Sequence, residues 1–163
     1  MTTAASVGWV KTEDSGEDWR KMIKIQRVIT VGQSVGAVFS YLADFETTNE
    51  WDPGTVRTTR IAGDGGAGTM YRNVSKFAGR ETELLYTAVE VREPGLLRFR
   101  GVNKTVTAHD TIKLEPIASG GTELTYRAEF VFKGVARWLA PLLRRQFSKL
   151  GDDAARQLQT VLQ

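Results

Sequence analysis

Met22–Val31 (MIKIQRVITV) is rich in β-branched residues and predicts a strand. At Ser34 the period changes. Val35, Val38, Phe39 and Leu42 recur at three- and four-residue steps, so Ser34–Asp44 predicts a helix that Ser34 caps. Phe45–Trp51 predicts a second short helix or turn, ended by the turn chemistry of Asp52-Pro53-Gly54. The pattern then becomes strand after strand: Thr55–Ala62, Thr69–Ala78, Arg80–Arg92, Leu96–Val102, Thr105–Ile117 and Thr122–Lys133, with Glu93-Pro94-Gly95 and Ser119-Gly120-Gly121 between the later ones. Short connections between consecutive strands predict hairpins and therefore an antiparallel meander.

The last segment, Val135–Leu162, carries one apolar stripe from Val135, Trp138, Leu139 and Leu142 through Leu143, Phe147 and Leu150 to Ala154, Leu158 and Val161. At about 1.5 Å per residue it predicts a helix roughly 40 Å long. Pro141 marks either a kink or the true first turn after a short lead-in helix. Gly151, on or near the stripe, marks close packing or space for a ligand. The fold class is therefore α+β: a bent antiparallel sheet of six to seven strands around a long C-terminal helix, with two short helices after the first strand plugging one end. Residues 1–21 read as a polar N-terminal tail in which Trp9 and Trp19 are unusual enough to suggest docking on the domain; residues 22–163 read as a single ligand-binding domain.

Composition narrows the chemistry. With no cysteine, disulfides, zinc ribbons and thiol nucleophiles are excluded, and with one histidine, His109, so are His-rich metal sites. The net charge of +3 is spread out. Its densest spot, Arg144-Arg145 with Lys149, reads as a solvated helix face and not as a nucleic-acid stripe. No apolar run reaches the ~18 residues of a membrane span, and the first 21 residues lack the apolar core of a secretory signal, so the protein is expected to be cytoplasmic, with neither nucleic acid nor integral membrane association. No cofactor is expected.

The order of elements and several local strings resemble the START-like superfamily, in particular its polyketide cyclase/dehydrase branch, also called SRPBCC. The strings are Val38-Phe39-Ser40-Tyr41-Leu42-Ala43-Asp44, Trp51-Asp52-Pro53, Gly68-Thr69-Met70-Tyr71, Glu93-Pro94, Gly121-Thr122-Glu123-Leu124-Thr125-Tyr126 and Gly151-Asp152. The resemblance spans about residues 22–162. It implies a helix-grip (START/Bet v 1-like) fold with a deep cavity for sterols, polyketides, fatty acyl groups or aromatics, and it transfers no fixed catalytic motif.

Strand alternation then selects the residues facing that cavity. In Thr122–Lys133 the inward set includes Leu124, Tyr126, Ala128, Phe130 and Phe132. In Thr105–Ile117 it is Val106, Ala108, Asp110, Ile112 and Leu114. Asp110 among those apolar neighbours costs several kcal/mol unless it is paired, protonated or wetted. Asp110 is thus either a polar anchor or general acid/base for a ligand, or a structural carboxylate bonded to a backbone amide or to Arg98 or Arg127. Tyr71, Asn73 and Ser75 are placed inward, as are Tyr86 and Phe99. Trp51 is either a cavity gate or a plug for the core. Leu142 completes the expected cavity wall from the helix.

Three motifs carry no chemistry on this reading. Gly63-Asp64-Gly65-Gly66-Ala67-Gly68 matches a dinucleotide fingerprint but precedes a strand, so it is a hairpin turn. His109 points away from Asp110. Asp152-Asp153 diverge by about 100° on a helix and have no third metal ligand nearby. The functional expectation is binding or carriage of a small hydrophobic or amphipathic molecule. The alternatives are a cyclase/dehydratase-type enzyme, with Asp110 as its acid or base helped by Tyr71 or Tyr126, and an interaction module whose cavity is filled by Phe99, Phe130, Phe132 and Trp138.

Overall fold

The computed structural model describes residues 22–163; Trp9, Trp19 and the rest of the expected tail lie outside the described residues. The elements are β1 (Met22–Val31), α1 (Val35–Ala43), a 3₁₀ turn (Phe45–Thr47), α2 (Thr48–Trp51), β2 (Thr55–Ala62), β3 (Met70–Phe77), β4 (Arg80–Arg92), β5 (Leu96–Val102), β6 (Val106–Pro116), β7 (Thr122–Phe132), a second 3₁₀ turn (Gly134–Trp138) and α3 (Ala140–Val161). The strands form one seven-stranded sheet in the order β1-β7-β6-β5-β4-β3-β2. Every pairing is antiparallel. Six strands are the expected meander, and β1 closes it against β7, the last strand of the run.

Local sequence explains the ends of the elements. Ser34 caps α1 by accepting from the Ala37 amide. Asp44 does the same for the first 3₁₀ turn through Glu46. The glycine-rich segment after β2 is a hairpin loop, with Gly63, Gly65 and Gly68 all at positive φ. Pro141 sits in the first turn of α3, after the lead-in 3₁₀ turn, so of the two readings of that proline the second holds and there is no kink.

The buried core runs along the concave face from Val31, Val38 and Leu42 to Tyr71, Phe99 and Leu124, with Leu158 and Leu162 covering it from α3. Phe45 drops from its 3₁₀ turn into the middle, with ring centroids 4.4 Å from Phe99, 4.6 Å from Tyr86 and 5.6 Å from Tyr71. Inward parity is as the alternation predicts on β3, β6 and β7. On β4 it holds from Leu84 to Ala88, and then a bulge between Ala88 and Glu90 shifts the register and turns Val91 toward the core instead.

The helix stripe departs from expectation at its start. Val135, Trp138, Leu139 and Leu142 are exposed, and Leu142 is 74% exposed. The physical reason is a change of phase at the 3₁₀ turn, Gly134–Trp138. Ala140, fully buried against Ile23 and Ile25 of β1, opens the inward stripe of α3, which continues through Leu143 and Phe147 to Gly151, Ala154 and Leu158. Leu142, two residues after Ala140 and so about 200° around the helix, faces away from the sheet. Gly151 is where α3 comes closest: a Cβ there would lie 2.5 Å from Ile25 Cγ2 on β1.

Candidate functional site

The concave face of the sheet and α3 enclose a cavity of about 210 Å³. One end of its wall is aromatic. Phe77, Phe130 and Phe132 gather around Phe147 of α3, with ring centroids at 4.4, 4.6 and 6.1 Å. Moving along β7 from Phe130 through Ala128 to Tyr126, the wall turns polar, and Asp52, Asn73, Ser75, Tyr86, Asp110 and Tyr126 bring oxygen and nitrogen atoms to it.

Asp110 is the centre of this end. It sits on β6 opposite Ala128 of β7 and Phe99 of β5, and only 5% of it is exposed. Tyr126 donates its hydroxyl to Asp110 Oδ1 at 2.8 Å. The Tyr86 hydroxyl stands beside the same carboxyl. Neither arginine considered as a partner reaches it: Arg98 pairs with Glu90, and Arg127 with Glu129. Burial therefore dominates its ionisation. It pushes the Asp110 pKa from 3.8 to about 7, against the pull of the Tyr126 hydrogen bond and the neighbouring Tyr86 hydroxyl and with a further push from the Asp52 charge. The same burial raises the phenols of Tyr86 and Tyr126 well above 10, so both stay protonated donors.

Asp52 is the residue that sequence reasoning missed as part of the site. Its Asp-Pro-Gly context reads as turn chemistry, and it does serve the turn, with Oδ1 accepting from the Gly54 amide at 2.9 Å and Oδ2 from the Thr55 hydroxyl at 2.9 Å. Yet it also lines the cavity. Part of the residue reaches solvent, but the atoms packed around the carboxyl still push its pKa upward, more than the turn hydrogen bonds pull it down. Thr55 links Asp52 to a buried polar chain. Asn73 Nδ2 donates to Thr55 Oγ1 at 3.1 Å and to Thr58 Oγ1 at 2.8 Å, and Ser75 donates to Asn73 Oδ1 at 2.6 Å.

The other expected wall residues divide. Trp51 lies on the cavity wall, 3% exposed, edge-on to Tyr126 at 5.6 Å, with its Nε1–H donated to Thr47 Oγ1. Tyr86 faces inward because Gly101 stands directly across from it on β5. A Cβ there would come 2.5 Å from the ring, so the glycine is the seat for the tyrosine. Tyr71 and Phe99 are fully buried but pack around Phe45 in the core, away from the cavity wall. Leu142 is on the surface, for the reason given above. His109 points to the opposite face from Asp110, half-buried beside Arg100. Asp152 bonds Arg27, while Asp153 pairs with Lys149 and Arg156.

Residues 22–163 match the family model described as polyketide cyclase / dehydrase and lipid transport. The chain belongs to this family. No curated protein matches it by sequence. Among solved structures, a START superfamily protein from Mycobacterium smegmatis is 13% identical with a TM-score of 0.71, over 85% of this chain and 96% of that one. The Zhui aromatase/cyclase from Streptomyces sp. R1128 is 16% identical with a TM-score of 0.65, over 86% and 96%. Ara h 8.0201 is 15% identical with a TM-score of 0.57, over 85% and 99%. At these identities the likeness establishes the shared START/Bet v 1-like architecture, and the family's members do not share one activity. Among the described residues, no helix is long and apolar enough to cross a membrane.

Proposed function

We propose that residues 22–163 act as a single domain that binds or carries a small amphipathic molecule, polyketide-like, lipid-like or aromatic, in the cavity between the sheet and α3. The observation that carries this reading is the two-ended wall: phenylalanines around Phe147 for an apolar body, and the Asp110–Tyr126 pair with Tyr86 and Asp52 for a polar head. Size adds a bound. An apolar cavity of roughly 150 Å³ takes benzene, so about 210 Å³ suits a one- or two-ring group and excludes a sterol-sized body unless the cavity opens.

Native mass spectrometry of freshly purified protein, followed by denaturation, tests the reading. The expected result is a stoichiometric small molecule released on unfolding, or a raised melting temperature with aromatic and polyketide-like compounds. An apo mass together with no shift from a broad panel would reject it in favour of the interaction module, although Trp138, expected to help fill that module's cavity, is exposed.

A second reading is favoured by one observation. Asp110 holds a pKa of about 7 at the cavity wall, with a tyrosine on one oxygen, which suits a general acid or base in a cyclisation or dehydration. Under it, Asp110→Asn abolishes turnover while ligand binding survives. A variant that turned over normally would remove Asp110 from the chemistry.

A further inference from the structure

The polar end of the cavity has a direction, and it follows from where each hydrogen goes. The Thr48 hydroxyl donates to the Phe45 carbonyl at 2.8 Å. A hydroxyl has one hydrogen, so in the 2.6 Å contact between Thr48 Oγ1 and Thr58 Oγ1 the donor is Thr58. Thr58 is then free to accept from Asn73, as it does, and Asn73 spends its amide group on Thr58 and Thr55. Thr55 spends its hydrogen on Asp52, and Ser75 spends its own on Asn73 Oδ1. Trp51 donates to Thr47 and Tyr126 to Asp110, and the Tyr86 hydroxyl stands beside the same carboxyl. With Asp110 ionised and the Tyr86 hydrogen turned to it, each hydrogen that these groups carry is committed within the protein. Lone pairs remain: on Ser75 and Tyr126, and on the carboxylates of Asp52 and Asp110. The side-chain donors on the wall outside this group are the exposed Lys76, the Thr82 hydroxyl, which accepts from Asn103 Nδ2 at 3.1 Å, and the Thr105 hydroxyl, which donates to Asn103 Oδ1 at 3.1 Å.

We infer that this cavity selects molecules whose polar end donates hydrogen bonds, such as a phenol, an enol or an amine, and rejects those that end in a carboxylate or offer only ether or ketone oxygens. The inference rests on the ligand-binding reading above and narrows it. A linear poly-β-ketone presents acceptors alone until it enolises or aromatises, so an enolic or phenolic ring is the form that fits. A fatty acid would set its carboxylate against Asp52 and Asp110, and the cation among the lining residues, Lys76, is exposed to water, which weakens any offset of the repulsion.

The test is calorimetric titration of the full chain at pH 8, where Asp110 is ionised, with three probes sharing one ring system: 2-naphthol, 2-methoxynaphthalene and 2-naphthoate. The expected order is 2-naphthol tighter than 2-methoxynaphthalene by on the order of tenfold to a hundredfold, as for a hydrogen bond to a charged acceptor, with 2-naphthoate weaker than both. In Asp110→Asn the naphthol advantage should shrink, because the new amide supplies a donor. Equal binding of 2-naphthol and 2-methoxynaphthalene, or tightest binding of 2-naphthoate, would overturn the donor rule and leave the cavity's role as an apolar site standing. Binding by none of the three would overturn both.

Discussion

Replacing Asp110 by asparagine is a direct measure of what the cavity wall does to a charge. In the wild-type protein the carboxyl ionises near pH 7 when folded and near 3.8 when unfolded. Between those values the folded state holds a proton that the unfolded state has released. Rising pH therefore favours unfolding, and the stability present below pH 4 is progressively lost up to pH 7. The displacement from 3.8 to about 7 corresponds to about 4 kcal/mol. Asparagine keeps the shape and the acceptor for Tyr126 but cannot ionise, so it escapes this penalty. It also removes the like charge that Asp52 feels, which acts in the same direction. The prediction is that Asp110→Asn, compared with wild type by urea unfolding at intervals from pH 4 to pH 8, gains relative stability as pH rises, by about 4 kcal/mol over the range. Taking the difference cancels every other titrating group that the substitution does not touch. A difference flat to within about 1 kcal/mol would refute the argument and mean that water or an unrecognised partner solvates the carboxylate.

Tyr126→Phe removes the hydrogen bond that does most to hold the Asp110 pKa down, so that pKa should rise above its wild-type value in a carbonyl-labelled NMR titration, with a stability loss of about 1–3 kcal/mol at pH 8. Gly101→Ala should cost about 1–3 kcal/mol in thermal or urea unfolding by driving its methyl into the Tyr86 ring. Gly151→Ala should also destabilise despite alanine's better helix propensity, and its cost should be smaller in an Ile25→Ala background, where the crowding Cγ2 is gone, as a double-mutant cycle would show. Leu142→Ser should change stability by no more than about 0.5 kcal/mol and leave ligand binding intact, since the side chain lies on the surface.

The sheet was legible in the sequence because its alternation is strong. Leu124, Ala128 and Phe130 against Glu123 and Glu129 leave β7 one inward face, and Asp110 stands out on β6 for the same reason. The stripe on the last helix was legible from Leu143 onward but not at its start. Leu139 and Leu142 continue a three- and four-residue rhythm in sequence, but the 3₁₀ turn before α3 resets the phase, and Ala140, too small to stand out in a hydrophobic pattern, takes the inward place. Leu142 was misplaced on that account. Asp52 was hidden for a different reason. Its turn is local and readable, whereas its approach to Asp110 depends on α2 delivering the turn to the sheet's interior. Gly101 gave a usable signal: a glycine at an inward position of a strand asks for a large side chain opposite, and Tyr86 fills that place.

The pairing of β1 with β7 has a consequence for the order in which the chain becomes a protein. Met22 needs Val131, and Val31 needs Thr122, so β1 leaves the ribosome well before the strand it pairs with and waits for it. At roughly 5–20 residues per second that wait is several seconds. Throughout it, Ile23, Ile25 and Ile29 lack their sheet neighbours, and α3, which packs on β1, is not yet made. The meander from β2 to β6 can zip hairpin by hairpin as it emerges, but closure must wait for β7 and is long in sequence separation, the slow kind of step in folding. Shortening the chain anywhere within β7 would therefore strip both ends of the fold at once, leaving β1 as an unpaired apolar edge open to other nascent chains.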